Sequence, residues 1–261
     1  MTGTERRTAF VTGATSGIGL AVTELLARQG MAVFGCARGA ENVRDLVKRL
    51  REEGLEVSGT VCDVTSAEQI RTAVAEAVAA YGPIGVLVNN AGRSGGGETA
   101  HLDDSIWTDV IDTNLHGVFR VTREVLSEGG MIDAGWGRVI NIASTGGKQG
   151  VPLAAPYSAS KHGVVGFTKA VGLELARTGV TVNAVCPGYV ETPMAERVRQ
   201  GHAAYHRVSE EEIRSRIEGR IPMGRYVSAE EVAGLVGYLT TDAAAAITAQ
   251  ALNVCGGLGN Y

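Results

Sequence analysis

Short runs rich in β-branched and small apolar residues alternate with longer helical stretches along nearly the whole chain, and this alternation constrains the fold more than any other feature. The runs Ala9–Thr12, Ala32–Cys36, Glu56–Cys62, Val86–Asn89, Val139–Ala143, Thr181–Cys186 and Ala251–Val254 read as strands. Helical stretches start near Gly17, Glu41, Ala67, Asp103, Tyr157 and Ala229, two of them marked by Ser66 before Ala67 and by the capping box of Ser228 with Glu231. Strand-then-helix repeats with right-handed crossovers predict an α/β fold, a doubly wound Rossmann-like parallel sheet with helices on both faces. No linker divides the chain, so residues 1–261 are read as a single domain. One segment, about 189–223, leaves the alternation: it is polar and helical between Pro187 and Pro222, and reads as a lid insertion.

The 36 glycines exceed the usual share of roughly 7% without any repeat period, which excludes collagen-like and solenoid folds and assigns them to turns and close backbone approaches. A formal charge of -4 offers no basic stripe for nucleic acid. No apolar run approaches the roughly 20 residues of a membrane span, and the polar start Met1–Arg7 is not followed by a secretory h-region, so no membrane association and a cytoplasmic location are expected. Cys36, Cys62, Cys186 and Cys255 form no CxxC pair and read as free core thiols.

Directly after the first strand comes Thr12-Gly13-Ala14-Thr15-Ser16-Gly17-Ile18-Gly19 and then a helical run. Glycines there let a pyrophosphate approach N–H groups at a helix N-terminus, although a tight turn without a ligand uses the same residues. The second strand ends on Ala37-Arg38 with no carboxylate, so Arg38 suits the 2′-phosphate of NADP(H) unless it is only a surface charge. Asp63 is placed either to accept from an adenine amino group or to cap the turn before Thr65. Tyr157 and Lys161 share one helix face at i and i+4, where a cation is expected to lower the phenol's pKa and make it a general acid near neutral pH. Ser144 follows the fifth strand, at the sheet edge where open α/β sheets bind ligands.

With Asn89-Asn90-Ala91-Gly92, Asn114 and Pro187-Gly188 in order, the chain resembles the short-chain dehydrogenases/reductases over essentially its whole length. That resemblance implies a catalytic tetrad: Tyr157 donates the proton, Ser144 orients the carbonyl, Lys161 binds the nicotinamide ribose and tunes Tyr157, and Asn114 holds a relay water. It also implies that Gly13, Thr15, Ser16, Gly17, Ile18, Gly19, Val64, Asn90, Ala91, Gly92, Pro187, Gly188, Val190 and Thr192 line the cofactor. Within that family the chain is most similar to ketoreductases of aromatic (type II) polyketide synthases, through Asn90–Arg93 with Gly95–Gly97, Ser144–Val151, Tyr157–Ala170 and Asn253–Tyr261.

This closer resemblance implies an NADPH-dependent reduction of one ketone, typically C-9, on a poly-β-ketone held by an acyl carrier protein, by a homotetrameric enzyme. Ser94, Gly95, Gly96, Thr145, Gln149, Val151 and Met194 are then candidate substrate contacts. Ser94 stands where that group often has proline, so the product configuration stays open. On residues alone the Gly95–Gly97 loop reads as flexible, a reading the resemblance reverses. The three arginines between Arg197 and Arg207 read as a solvated face or, with Arg93, as carrier-protein contacts. His202 and His206 lack the third ligand of a zinc site, so no metal is expected, and Cys186 reads as core. The alternatives are a 3-oxoacyl carrier-protein reductase of fatty-acid synthesis and, in another class, a non-catalytic NADP(H) sensor.

Overall fold

β-Branched and small residues sit poorly in helices and well on a pleated surface, and each expected run becomes a strand in the computed structural model, which describes residues 7–261. The leading residues 1–6 lie outside the described residues. The strands are β1 (Thr8–Thr12), β2 (Ala32–Ala37), β3 (Val57–Val61), β4 (Ile84–Asn89), β5 (Gly137–Ile142), β6 (Val180–Pro187) and β7 (Ala251–Val254). All pair in parallel, in the order β3-β2-β1-β4-β5-β6-β7. The strand order reverses direction between β1 and β4, and a crevice at the carboxyl edge of such a switch point is where ligands bind.

Alternate side chains of each strand enter opposite cores. Ala9 and Val11 of β1 face a cluster with Leu26 of α1 (Gly17–Arg28), Leu50 of α2 (Ala40–Glu52) and Val236 of α9 (Ala229–Leu239). Phe10, between them, faces Ile70 and Val74 of α3 (Ala67–Tyr81) and Val125 of α5 (Gly117–Glu128). Both sheet faces are therefore covered, as parallel sheets require. Ser66 caps α3 by accepting from Gln69 N at 3.3 Å, and Ser228 and Glu231 form the expected capping box on α9.

Two helix boundaries differ from expectation. The stretch beginning at Asp103 is two helices, α4 (Asp104–Ile111) and α5, joined by a π-turn over Asp112–His116 that hydrophobic periodicity does not register. The helix expected from Tyr157, α6 (Ala155–Glu174), begins two residues earlier because Pro156 fits a first helical turn.

The segment after Pro187 folds as α7 (Pro193–His206) and α8 (Glu210–Glu218), separated at Arg207 in the left-handed region (φ 55°). These helices close a small core of Ile213, Ile217, Ile221 and Tyr226. Arg199 is drawn into that core, 2.8 Å from Glu191 and 3.1 Å from Glu210, and lies over the Tyr226 ring. Among the described residues no helix is long and apolar enough to cross a membrane.

Candidate active site

The carboxyl ends of β1, β4, β5 and β6 deliver four loops to one crevice. After β1, Gly13 and Gly17 take positive φ (64° and 53°), and a Cβ at Gly19 would overlap the Gly13 carbonyl and the Asn90 amide. Only glycine permits that approach. The loop is pinned from β4: Asn90 Nδ2 donates to Thr12 O (3.0 Å) and Gly13 O (3.1 Å), while Thr12 Oγ1 accepts from Asn90 N and Ala91 N, both at 3.0 Å. Asn90 thus pins the glycine loop to the end of β4. Ser16 starts α1 without spending its hydroxyl on a cap, leaving that donor at the helix N-terminus beside the half-buried Thr15 and Ile18.

Arg38 is exposed at the end of β2 and makes no ion pair among the described residues. Asp63 does cap its turn: Oδ1 accepts from Thr65 N (2.9 Å) and Thr65 Oγ1 (2.8 Å), so only Oδ2 remains for a ligand. Val64 is buried, with its side chain and its carbonyl both against Gly117. Across the loop, Thr192 caps α7 through Ala195 N and stands against Gly17, so α7 begins beside the glycine turn. Val190 is buried and bridges to Val227, and Gly188 leaves β6 packed on Cys255.

The reacting groups come from β5, α6 and the π-turn. Ser144 Oγ accepts from Gly146 N (2.9 Å), which leaves its own proton free to donate. Tyr157 stands beside Ser144: a Cβ at Gly146 would lie 3.3 Å from Ser144 Oγ and 3.4 Å from Tyr157 Cε1. Burial pushes the Tyr157 phenol above its ordinary value, against the opposing pull of the Ser144 hydrogen bond, so the expectation that Lys161 lowers it is corrected. The reason is geometric. Lys161 Nζ lies 5.8 Å from the Tyr157 ring centre and donates to Ile142 O at 2.8 Å. Burial lowers Lys161 itself to about 8. A methyl at Gly92 would sit 3.3 Å from Asn114 Oδ1 and 3.7 Å from Lys161 Nζ, which places all three around one small volume.

Both amide hydrogens of Asn114 are used, Nδ2 donating to Arg93 O (3.0 Å) and Ser160 Oγ (3.1 Å), while Oδ1 accepts from Arg93 N (2.8 Å). It clamps the loop after β4 to α6. Sequence reasoning missed the bolts beneath the site. Asn89 donates to Thr122 Oγ1 and Asn141 Oδ1, and Asn141 donates to Thr168 Oγ1, each at 2.9 Å, which locks α5 and α6 to β4 and β5. Polar residues inside expected strands and helices were the available signal.

Among the expected substrate residues, the glycine loop is not free. A Cβ at Gly96 would overlap the Leu153 carbonyl, Gly97 N donates to that carbonyl at 2.8 Å, and Gly95 packs on Val110, so the flexible reading is corrected. Ser94, Gln149 and Met194 are half-buried, Thr145 is buried, and Val151 packs toward Gly146 while its N–H donates to Ser158 Oγ (3.1 Å). α7 reaches this loop where Tyr205 donates to Glu98 at 2.7 Å. Of the lid arginines, Arg197 and Arg207 are exposed and Arg199 is buried, so Arg199 leaves the set of carrier contacts; Arg93 is held by Asp109 at 2.6 Å. His202 and His206 stack at 6.1 Å, and no group of three or more His, Cys, Asp or Glu placed to hold a metal occurs among the described residues. Cys186 is fully buried and its thiol pushed up by burial, as a core residue's is.

Residues 7–203 match the family described as short chain dehydrogenase. The chain belongs to the short-chain dehydrogenase family. Among its members, granaticin polyketide synthase ketoacyl reductase 1 of Streptomyces violaceoruber is 65% identical over 253 residues, covering 97% of this chain and 93% of that protein. The monensin polyketide synthase ketoacyl reductase of Streptomyces virginiae is 64% identical over the full length of both chains, 261 residues. A variant of actinorhodin polyketide ketoreductase, solved with NADPH, superposes with a TM-score of 0.96 at 62% identity and 100% coverage of both chains. Short-chain dehydrogenases thus share this fold with the chain from end to end.

Proposed function

We propose that the protein is an NADPH-dependent ketoreductase that reduces one ketone, at C-9, of a poly-β-ketone tethered to an acyl carrier protein in aromatic polyketide antibiotic biosynthesis. The observation that carries the chemistry is the meeting of Ser144, Tyr157 and Lys161 beside a glycine cradle that a side chain would fill. The polyketide substrate class is supported by the names of relatives at 64–65% identity. We read the chain as one domain acting in the cytoplasm, in keeping with its four buried free thiols.

The residues present fit NADPH. Gly13, Gly17 and Gly19 open the backbone to a pyrophosphate, Ser16 and Thr15 offer hydroxyls, and the unpaired Arg38 suits a 2′-phosphate. When bound, this cofactor supplies the hydride that adds to the ketone carbon. Tyr157, kept protonated by burial, donates its phenolic proton to the ketone oxygen. Ser144, whose hydroxyl proton is uncommitted, donates a hydrogen bond to the same oxygen as charge develops there. Lys161 Nζ, with a value of about 8, is poised to return a proton to Tyr157 through solvent near the π-turn.

The carrier protein, being a partner of acidic character, meets the exposed and unpaired Arg197 and Arg207 at the lid. A homotetramer is supported by apolar surface on adjacent helices: Trp107 and Phe119 are each 44% exposed and Leu173 is 72% exposed.

Initial rates of cofactor oxidation test the reading. The bulky bicyclic ketone trans-1-decalone with NADPH is expected to outpace both a short acetoacetyl thioester and any ketone with NADH. Replacing Arg38 with Gln is expected to cut the NADPH preference by about 10- to 100-fold, the worth of a charge-assisted phosphate contact. Preference for the short thioester would favour the fatty-acid reductase reading, and no oxidation of any ketone would favour a sensor.

A further inference from the structure

Lys148 lies four residues beyond Ser144 and takes no part in the chemistry above. Its ammonium group is nevertheless fully engaged. Nζ donates to Ala251 O at 3.0 Å, to Asn253 Oδ1 at 3.0 Å and to Tyr261 O at 2.8 Å, which uses all three donors of a lysine. The same group lies 5.2 Å from the Tyr261 ring centre. Ala251 and Asn253 belong to β7, held in register on Ala184 and Cys186 of β6, so two of the three acceptors sit on rigid sheet. Asn253 continues the chain of bonds by donating from Nδ2 to Gly259 O at 2.9 Å.

The segment that Lys148 anchors is the turn that carries Ser144. Gly146 N donates to Ser144 Oγ, and Lys148 N (3.0 Å) and Gln149 N (3.1 Å) both donate to Thr145 O. Tyr261 closes a second tie by donating from its hydroxyl to Thr145 O at 3.5 Å. On the opposite side Gly147 is seated so close to the Lys161 carbonyl that a side chain there would strike it. The turn is therefore gripped between α6, which carries Tyr157 and Lys161, and β7. Without the β7 grip, a short loop with two glycines would hold Ser144 against one side only.

We infer that Lys148 is a positioning residue of the ketone-reducing site, which fixes Ser144 Oγ relative to Tyr157 by tying the turn after β5 to β7 and to the Tyr261 segment. The inference rests on the proposed ketoreductase reading, in which Ser144 steadies the ketone oxygen. Small misplacement of such a donor costs rate far more than it costs binding.

Turnover of trans-1-decalone with NADPH is measured for the full-length protein, Lys148→Met, Ser144→Ala and the double variant, with NADPH affinity followed by nucleotide fluorescence. Lys148→Met is expected to lower kcat about 10-fold, with NADPH affinity within about 2-fold of the parent. In the Ser144→Ala background the same substitution is expected to cost nothing further, and Lys148→Arg to recover most of the loss. An equal loss of kcat in both backgrounds, or no loss in either, overturns the inference. Should Lys148→Met not fold, Asn253→Ala takes its place in the same cycle under the same two criteria. Parent-level turnover by Ser144→Ala is a separate outcome: it overturns the ketoreductase role of Ser144 and, with it, the inference.

Discussion

Lys161 shows at the scale of one residue how burial sets chemistry. Its ammonium is almost fully enclosed and makes one hydrogen bond, to Ile142 O, and burial brings its value down to about 8 from about 10.4 in an open chain. Between those values the unfolded chain holds a proton that the folded protein has released, so this group makes stability rise with pH from about 8 upward; below 8 its unfavourable effect is fully present. The shift corresponds to about 3 kcal/mol. Urea unfolding at pH 7.5 and pH 10 should therefore show the stability of Lys161→Met relative to the parent falling by up to about 3 kcal/mol as pH rises. A pH-independent difference would show that the lysine is not buried as described. The sequence displayed Tyr157 and Lys161 on one helix face, but not which effect dominates at the phenol. Spacing reveals neighbours, whereas the burial that raises the phenol, the opposing Ser144 hydrogen bond and the charges of Cys186 and Tyr189 all come from tertiary packing.

Among the elements, the loop between β4 and α4 is the one whose character sequence alone misjudged. Three consecutive glycines look mobile, yet Gly96 is required by the backbone of Leu153 and Ala154 rather than by freedom of motion. Neither obstruction is a flexible side chain, so Gly96→Ala should destabilise the protein by about 1–3 kcal/mol and raise KM for a bulky ketone. Gly150→Ala, where a Cβ meets nothing within 4 Å, serves as the neutral control. Equal denaturation midpoints for the two variants would contradict the tight packing. Strands were legible almost to the residue because their apolar pattern answers to burial on both faces, and Ser66 and Ser228 marked their helices through local capping. The π-turn at Asp112–His116, the Tyr205–Glu98 contact and the burial of Arg199 were not legible, because each depends on which distant element packs opposite.

The whole molecule gathers Ser144, Tyr157 and Lys161 at the carboxyl edge of the sheet and exposes apolar side chains on α4, α5 and α6. Phe119 stands edge-on to Phe167 at 6.3 Å, and Leu173 is left largely in solvent. Sedimentation should find the parent as a tetramer and Leu173→Glu shifted toward smaller species; a monomeric parent would contradict the proposed assembly. The order T-G-x-x-x-G-x-G, N-N-A-G, Ser144, Tyr157 and Lys161 made the catalytic edge legible, since each motif falls at the carboxyl end of a strand or on the helix beside it. The Asn89–Asn141 bolts beneath it were hidden, because a polar residue inside a strand does not announce its partner. The central claim is that this edge reduces ketones with Tyr157 as the proton donor. The measurement that tests it most directly is NADPH oxidation with trans-1-decalone by the parent and by Tyr157→Phe, with NADPH affinity determined for both. The account predicts unchanged affinity and a kcat lower by about 10²- to 10⁴-fold in the variant; oxidation at the parent rate by Tyr157→Phe would contradict it.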